Sequence, residues 1–310
     1  MTDSRRMTPV ATDIRFLLGD RCILRARRML VPLAYGLDAI LAERPLVPVP
    51  LPPDADGYRV QSVPAAQLSR LDQQFTGFLK SPPQLFARHY IDMALGHDGY
   101  MAQFSSKTRA TLKRKMRKLA DANGGTLDIR SYHAPDQLDA FFAAALPLSN
   151  QTYQARLLDA GLPGHAAFRA EAEALARTDS LRAWILFLHG KPIAYLYLPV
   201  VEDVLIYAYL GYDQGQAQLS PGTVLQMHAL EQLFAEQRFR YFDFTEGDGA
   251  HKALFGTHQV QCATLFLLAP SIANRAVLTS HRAFNAGVEA TGAWLERIGA
   301  KAKIRKLLRG

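Results

Sequence analysis

The residues LSPGTVLQ, 219–226, carry the pattern of a helix start that can bind an anion. Pro221 suits the first helical position because its missing N–H needs no partner there, and the Ser220 hydroxyl can accept from an amide one turn on. Gly222 follows and lets another molecule approach the backbone. Unpaired amides and the positive end of the helix dipole suit a pyrophosphate at such a site. Helix starts that bind nothing have the same residues, so both interpretations stay open here.

A basic stretch, residues 107–118, contains seven Lys or Arg and no acid. Leu112, Met116 and Leu119 form a narrow apolar stripe on a predicted helix from Ser106 to Ala120, which leaves the basic side chains mostly facing solvent. They are Lys107, Arg109, Lys113, Arg114, Lys115, Arg117 and Lys118. The charges indicate either a cradle for a phosphate-bearing acceptor, a nucleic acid or an anionic membrane, or a solvated helix face. No aromatic residue lies among them, which disfavours a stacking surface for single-stranded nucleic acid.

The elements around the helix start predict a sheet with one parallel crossover. Leu205–Tyr212 is a short run of apolar and aromatic residues typical of a buried strand, and Tyr241–Phe244 returns as a second strand. A strand, a crossover helix and a strand of these lengths form a parallel pair with a right-handed connection. Before them, Ala183–Leu188, Ile193–Val200 and Val204–Tyr212 are separated by short turns, which predicts an antiparallel meander.

The rest of the chain shows weaker patterns. Asp13–Leu41, crowded with Arg, predicts one or two helices, and the prolines from Pro45 to Pro53 predict an extended segment. Thr245–Gly256 is predicted to be a polar loop, and Val260–Leu268 the closing strand. Residues 271–310 predict two basic helices, the last of which places Lys301 and Arg305 inside the apolar arc of Trp294, Ile298 and Leu308 and so favours membrane-surface binding only weakly.

Composition limits the class of protein. The 310 residues are 49% hydrophobic and 21% charged, which is typical of a globular chain. Two widely separated cysteines predict neither a disulfide framework nor a zinc site, and the absence of a long apolar run predicts a cytoplasmic protein. The net charge of +8 lies in three basic segments, 1–31, 107–118 and 275–310, where an anionic partner would bind.

Several segments together resemble a known family. SSKTRATLKRKMRKL, APDQLDAFFAAAL, HGKPIAYLYL, LSPGTVLQMHAL and YFDFTEGDGAHKALFG follow one another from Ser105 onwards in the order found in the acyltransferase domain of the GNAT superfamily. The chain is most similar to the acetyltransferase 6 group of BioF2-like and CelD-like proteins, related to Fem-type peptidyltransferases. This resemblance implies a mixed α/β GNAT-like fold in which the strands flanking the helix splay apart. Acyl-CoA would lie between them, with its pyrophosphate on the amides of Ser220, Pro221, Gly222 and Thr223.

The resemblance divides the chain into three regions. Residues 1–100 are predicted as a helical and extended region that is either a truncated GNAT-like half or a cover, because Fem-type proteins have two such halves. Residues 101–270 are predicted as the acyltransferase domain, and residues 271–310 as the C-terminal helices.

The resemblance also implies catalytic residues for acylation of an amine, which needs a base, a stabilised oxyanion and a proton for the thiolate. Glu246 is the favoured base and Asp243 its alternative, while Lys252 matches a family lysine that holds the reactants. His251 stands where the family commonly has Tyr, so it is either a substitute for that aromatic ring or a base itself. Tyr209 and Tyr212 are the expected general acids.

The sequence thus predicts an acyl-CoA-dependent N-acyltransferase, with acetyl-CoA as a donor and without a metal. The expected acceptor is a small or phosphate-bearing amine, such as an amino-sugar nucleotide or an envelope or polysaccharide precursor, bound by Lys107, Arg109, Lys113, Arg114, Arg117 and His251. Peripheral contact with an anionic inner membrane is a further expectation. The alternatives are a Fem-type transferase that uses aminoacyl-tRNA, and a non-catalytic basic adaptor.

Overall fold

The computed structural model describes residues 8–19, 21–151, 161–247 and 249–297. The strands are β1 (Val10–Leu18), β2 (Arg21–Ala34), β3 (Gly57–Pro64), β4 (Leu79–Lys80), β5 (Gln84–Asp92), β6 (Asp128–Ser131), β7 (Leu181–Leu188), β8 (Lys191–Val201), β9 (Val204–Ile206), β10 (Tyr209–Tyr212), β11 (Tyr241–Asp243) and β12 (His258–Leu268). The helices are α1 (Leu37–Leu41), α2 (Leu68–Gln74), α3 (Gly96–Ala102), α4 (Ser106–Ala122), α5 (Leu138–Gln151), α6 (Ala166–Arg177), α7 (Pro221–Glu236), α8 (Ala250–Phe255) and α9 (Ile272–Arg297).

The chain divides into two compact units. One combines Met1–Ala87 with Gln261–Gly310, and the other is Arg88–Val260. The domain boundaries expected at residues 100 and 270 stay predictions.

The Arg88–Val260 unit contains a mixed sheet with the strand order β5-β11-β9-β8-β7-β6. Strands β7, β8 and β9 are antiparallel neighbours, as the meander predicts. Strand β11 then pairs in parallel with β9 after the crossover through α7. The predicted mixed α/β fold is confirmed.

Helices cover both faces of this sheet because successive side chains of a strand point to opposite faces. Trp184 and Leu186 of β7 belong to the core formed with α3, α4 and α7. Ala183 and Ile185 belong to the opposite core, formed with α5 and α6. All four side chains are buried, which is why β7 reads as a continuous apolar run rather than an alternating one.

Helix α4 begins at Ser106, the first residue of the predicted helix, and ends at Ala122, two residues beyond the predicted end. The hydroxyl of Ser105, not that of Ser106, accepts a hydrogen bond from the amide of Thr108 at 3.1 Å and caps the helix. Leu112 and Leu119 are buried on the predicted apolar stripe.

The N-terminal region differs from its prediction, because most of Asp13–Leu41 is strand rather than helix. Strands β1 and β2 form an antiparallel hairpin, and only Leu37–Leu41 is helical. The side chains alternate with a period of two: Ile14 and Phe16 are buried, whereas Asp13 lies on the outer face opposite Arg27. The Arg side chains therefore support a strand by pairing across the hairpin with Asp13.

The other elements of this unit extend the hairpin into a sheet. Strand β2 pairs in parallel with β3, which pairs antiparallel with β12, and β4 adds to β12. One continuous helix, α9, occupies residues 272–297. Residues 298–310, including Lys301, Arg305 and Leu308, lie outside the described residues, so the predicted final helix and its membrane face are untested.

Candidate functional site

The strands on either side of α7 separate at Tyr207. The amide of Tyr207 donates to the carbonyl of Asp243 at 2.9 Å, which is the last hydrogen bond between the two chain segments. Beyond it, Ala208 bonds back to Ile206 at 2.8 Å in a tight turn, and β10 continues on β8 alone. On the other side the Phe244 amide donates to the carbonyl of His89. The strand predicted over Leu205–Tyr212 is thus interrupted, and a cleft opens between β10 and the segment after β11.

Helix α7 begins at this cleft. Ser220 has φ of 53° and ψ of 47°, and its side chain makes no capping bond, contrary to the predicted Ser cap. The left-handed backbone of Ser220 lets Pro221 occupy the first helical position directly after a 3-10 turn. Helix geometry leaves the amides of Gly222 and Thr223 without an acceptor inside α7, so its positive end faces outward as predicted.

Gly222 lies at a close approach between α7 and β10. A Cβ atom added to Gly222 would lie 3.0 Å from Cδ2 of Leu210 and 3.3 Å from Cδ1 of Tyr212. Any side chain at this position would therefore press on β10. Glycine is suited to this position both by the close packing against β10 and by the access it gives to the backbone.

A cavity of about 290 Å³ lies between the helix start and the separated strands. Three of the four residues expected to hold the donor line it, namely Ser220, Gly222 and Thr223, while Pro221 is buried in the first turn. The other lining residues are Tyr207, Leu210, Tyr212, Ala217 and His251.

His251 lies on α8, a short helix in the segment predicted to be a loop. Its Nε2 atom is 2.6 Å from the amide oxygen of Gln226, which is fully buried one turn after Gly222 on α7. Burial, together with the positive charges of Lys115 and Lys252, lowers the pKa of His251 below its usual value of 6.5. At neutral pH the ring is therefore uncharged and able to accept a proton.

Tyr207 is the aromatic neighbour of His251 in the cavity. The two ring centroids are 6.4 Å apart, and the Tyr207 ring also packs against Phe242 and Phe244. Burial raises the pKa of the Tyr207 hydroxyl, so the hydroxyl stays protonated at neutral pH and is able to donate a hydrogen bond.

Lys252 and Glu246 lie close together, but through the backbone. The ammonium of Lys252 donates to the carbonyl oxygen of Glu246, and both side chains are half-buried. Lys252 thus holds the loop after β11 against α8, and this loop carries the Glu246 carboxylate.

Asp243 occupies an environment unlike the one expected of a general base. Its fully buried carboxylate accepts two hydrogen bonds from the guanidinium of Arg88, one of them 3.0 Å long to Nε, and a third from the amide of Thr245 at 2.8 Å. These three hydrogen bonds fix the end of β11 to Arg88 and to the segment after the strand, and Asp243 does not line the cavity. Its expected role as a base stays a prediction, which this placement disfavours.

Tyr209 lies on the face of the sheet opposite the cavity. Its ring packs against Phe168 and Tyr197 in the core formed with α5 and α6, while Leu210 and Tyr212 point toward α7. The expected general-acid role of Tyr209 does not fit this placement, whereas that of Tyr212 does. The turn at Ala208 decides the face, because it resets the alternation before β10 begins.

The basic helix α4 lines a second cleft, of about 540 Å³, which adjoins the first at Ser220. Its lining is mostly basic and consists of Arg114, Lys115, Arg117, Lys118, Asp121, Gln218 and Ser220. Lys118 donates to the carbonyl of Gln218 at 3.0 Å and so connects α4 to the turn before α7. Two of the expected substrate-binding residues, Arg114 and Arg117, thus lie beside the helix start.

The other basic residues of α4 lie elsewhere. Lys107 and Lys113 are exposed and do not line the cleft. Arg109 donates to the carbonyls of Phe104 and Met101 and thereby caps the C-terminus of α3. Only part of the charged stretch therefore forms a surface suited to an anion.

The comparison with protein families bears on this arrangement directly. Residues 106–253, which include α4, the cavity and His251, match the model of the acetyltransferase (GNAT) domain. The match spans just under half of the chain and confirms the predicted resemblance to the GNAT superfamily. The chain is a transferase with a GNAT-like domain over these residues.

Two solved structures are similar to this chain at low sequence identity. The crystal structure of FemX is 10% identical with a TM-score of 0.53, over 85% of this chain and 89% of FemX. The structure of L-PGS from Bacillus licheniformis is 14% identical with a TM-score of 0.47, over 73% of this chain and 72% of that one. No curated protein matched the chain. The GNAT domain thus lies within a fold that FemX also has.

No group of three or more His, Cys, Asp or Glu in the described residues could hold a metal ion. Within the same residues no helix is long and apolar enough to cross a membrane.

Sequence reasoning missed two residues of the GNAT cavity, Gln226 and Tyr207. Gln226 was detectable as a polar residue within the apolar run of α7, four positions after Gly222 and hence on the same helix face. Tyr207 was not detectable, because its role depends on the separation of the strands.

Proposed function

We propose that this protein transfers an acyl group from an acyl-CoA thioester to the amine of a small or phosphate-bearing acceptor. The observation that carries the proposal is the start of α7, where the amides of Gly222 and Thr223 point out of the helix at the cleft between β10 and β11. Within the described residues β10 pairs with β8 alone, so every second backbone amide of β10 points away from β8. These amides suit hydrogen bonds to an extended donor that contains amide groups of its own.

The donor fits the two adjoining cavities by charge. The pyrophosphate would be held by the amides of Gly222 and Thr223, and further phosphate by Arg114 and Lys118 across Ser220. The apolar part of the lining, Leu210 and Ala217, suits the neutral arm of such a donor. When bound, the thioester supplies an activated carbonyl.

His251 is the base in this proposal. The neutral ring donates its Nε2 proton to the oxygen of Gln226, which leaves the Nδ1 lone pair to take a proton from the attacking amine. Gln226 then stabilises the charged ring by the same hydrogen bond, as an orienting partner of a catalytic histidine does. Glu246, acting through water, is the alternative base.

Tyr207 and Tyr212 are the proposed donors to the leaving thiolate. Both hydroxyl-bearing rings line the cavity, and the raised pKa of Tyr207 keeps its proton available until a strong base forms beside it. Lys252 donates to the carbonyl oxygen of Glu246 and so orders the loop after β11, which in this proposal borders the site of the amine acceptor.

The basic cleft gives one specific reason to keep aminoacyl-tRNA as a second donor. Four basic side chains and one acid, Asp121, line a cleft larger than a single phosphate needs, and a nucleic acid backbone would also satisfy them. In either case the reaction forms an amide and breaks an ester or thioester bond.

Calorimetric titration with acetyl-CoA and with a longer acyl-CoA tests the proposal. Thr223→Glu places a carboxylate at the positive helix end, which favours the helix but competes with the pyrophosphate, so it should abolish binding without unfolding the protein. Thr291→Glu adds the same charge on α9, where Thr291 is exposed, and should leave binding unchanged.

The negative outcomes are equally informative. Failure of both acyl-CoA compounds to bind would reject the donor, and filter binding of an aminoacyl-tRNA would then test the second one. Binding that survives Thr223→Glu would place the donor away from α7.

A further inference from the structure

The hairpin of β1 and β2 has an anchored base. Ile14 is fully buried and Phe16 nearly so, and the Phe16 ring packs edge-on against His281 and Phe284 of α9 at centroid distances of 5.1 and 5.5 Å. The Nε2 atom of His281 also lies 3.2 Å from the carbonyl of Arg15. Up to Phe16, therefore, the hairpin is fixed to the body of its unit.

The tip beyond Phe16 has the opposite character. Leu17, Leu18, Ile23 and Leu24 are 46, 41, 58 and 57% exposed. Leu17 and Leu18 are adjacent on β1 and so point to opposite faces of the ribbon. The register of the hairpin shifts between Phe16 and Leu17 and leaves Ile23 without a partner residue on β1. Four large apolar side chains around one protruding tip form a patch that a protein rarely leaves to water without a use.

The hairpin carries more positive than negative charge. Residues 10–34 contain five Arg and two Asp. Arg21, Arg25 and Arg27 are exposed on β2, and Asp13, which lies 3.7 and 3.4 Å from Arg25 and Arg27, is on the neighbouring strand nearer the base. Arg21 lies next to the turn, directly after Asp20 in the sequence, so the hairpin keeps an excess of three positive charges over residues 10–34.

We propose that this hairpin tip docks on the surface of an anionic phospholipid membrane. Leu17, Leu18, Ile23 and Leu24 would enter the boundary between headgroups and acyl chains, while the guanidinium groups of the flanking Arg residues stay at the level of the phosphates. The inference does not depend on the acyl donor or on the cavity beside α7.

Two physical arguments favour a membrane over a second copy of the chain. Self-association through the tip would bring two sets of Arg side chains of like charge together, which costs free energy, whereas anionic headgroups neutralise them. A flat protein partner would also cover only one face of the ribbon, while lipid surrounds an inserted tip on every side.

Co-sedimentation of the full chain with vesicles tests the proposal. Vesicles of phosphatidylcholine containing phosphatidylglycerol should bind the protein, vesicles of pure phosphatidylcholine should bind it far less, and added salt should weaken binding. Leu18→Asp with Leu24→Asp should reduce binding at least about tenfold, because both apolar contact and charge are lost. Arg21→Gln should reduce it roughly fivefold, equivalent to about 1 kcal/mol per basic residue at such a surface.

The matched control is Val47→Asp. Val47 is 68% exposed in the extended segment before β3, so the substitution adds the same charge at an exposed apolar residue outside the hairpin. It should bind vesicles as the parent does. Circular dichroism and thermal unfolding establish that the variants are folded.

Three results would overturn the proposal. The parent chain could fail to bind anionic vesicles, or the folded Leu18→Asp, Leu24→Asp variant could bind them as well as the parent. Alternatively, the parent could be a dimer in size-exclusion chromatography that the variant converts to a monomer, which would make the tip an interface between copies.

Discussion

The Nε2 atom of His251 lies 2.6 Å from the side-chain oxygen of the fully buried Gln226. This contact joins α8 to α7 at the point where the cavity meets the helix start. The amide nitrogen of Gln226 is buried without a partner, so within the described residues the His251 contact is the one side-chain hydrogen bond that orients this amide. The pair therefore sets the ring orientation of His251 before any substrate binds.

The first prediction concerns the protonation of His251. The charge of Lys115 on α4 contributes to the lowered pKa of His251, together with burial and Lys252. Lys115→Gln removes one positive charge, so the pKa of His251 should rise. If His251 is the base, the pH at which the transfer rate falls on the acidic side should also rise. A ring with a higher pKa becomes protonated, and so inactive as a base, at a higher pH.

The measurement is an NMR titration of the histidine ring resonances in the full chain. Lys113→Gln is the control, because Lys113 is exposed on the same helix and does not line the cleft. Equal effects of the two substitutions would mean that Lys115 has no special relation to His251. An unchanged rate profile alongside a shifted resonance would favour Glu246 as the base.

The second prediction concerns the close approach at Gly222. Gly222→Ala should weaken acyl-CoA binding and lower the free energy of unfolding by about 1–3 kcal/mol, because the new methyl group presses on Leu210 and Tyr212 and narrows the cavity. Gly287→Ala is the matched control, since Gly287 is an exposed residue of α9 with open space around its Cα. It should stabilise the protein by up to about 1 kcal/mol.

Calorimetry and chemical denaturation measure both quantities for the two variants. If Gly222→Ala binds acyl-CoA with the affinity of the parent, the start of α7 does not contact the donor, and the prediction is wrong.

The third prediction concerns the buried pair of Arg88 and Asp243. Arg88→Met should lower the free energy of unfolding by about 3–5 kcal/mol, because it leaves the Asp243 carboxylate buried without its cation. The double variant Arg88→Met, Asp243→Leu should be more stable than Arg88→Met alone, since the unpaired charge is gone.

Denaturant unfolding of the parent, both single variants and the double variant gives the coupling between the two side chains. Additive effects would show that the two residues do not depend on each other. A variant Asp243→Asn that folds like the parent but loses all turnover would restore Asp243 as a catalytic residue.

The fourth prediction separates the two groups of charges on α4. Arg114→Ser with Lys118→Ser should weaken acyl-CoA binding about tenfold, equivalent to about 1.4 kcal/mol, and reduce its salt dependence. Both side chains line the cleft that adjoins Ser220. Lys107→Ser with Lys113→Ser removes the same charge from the same helix but not from the cleft, and it should leave binding unchanged.

Titration at several salt concentrations distinguishes the two pairs. A similar loss in both would indicate a general effect of net charge, and the cleft would have no specific role.

The sequence by itself determined those helices and strands that short-range residue patterns specify. Three features follow from periodicity, turn residues and connection lengths, which act over a few residues: the start of α7 at Pro221, the meander of β7 to β9 and the parallel return of β11. The same kind of signal misled at Asp13–Leu41, where the Arg residues suit a helix or a strand, and burial of Ile14 and Phe16 against distant parts of the chain selects the strand.

Only the tertiary structure decided which residues meet in the cavity. Asp243 and Arg88 are 155 positions apart in the sequence. The residues around Asp243 therefore do not predict that its carboxylate accepts hydrogen bonds from a buried guanidinium. The turn at Ala208 moves Tyr209 to one face of the sheet and leaves Tyr207 and Tyr212 at the other, because β10 follows β8 while β11 stays beside β5. Residue types and spacing thus predict the class of chemistry, whereas the position of each side chain depends on long-range strand pairing that a local pattern does not contain.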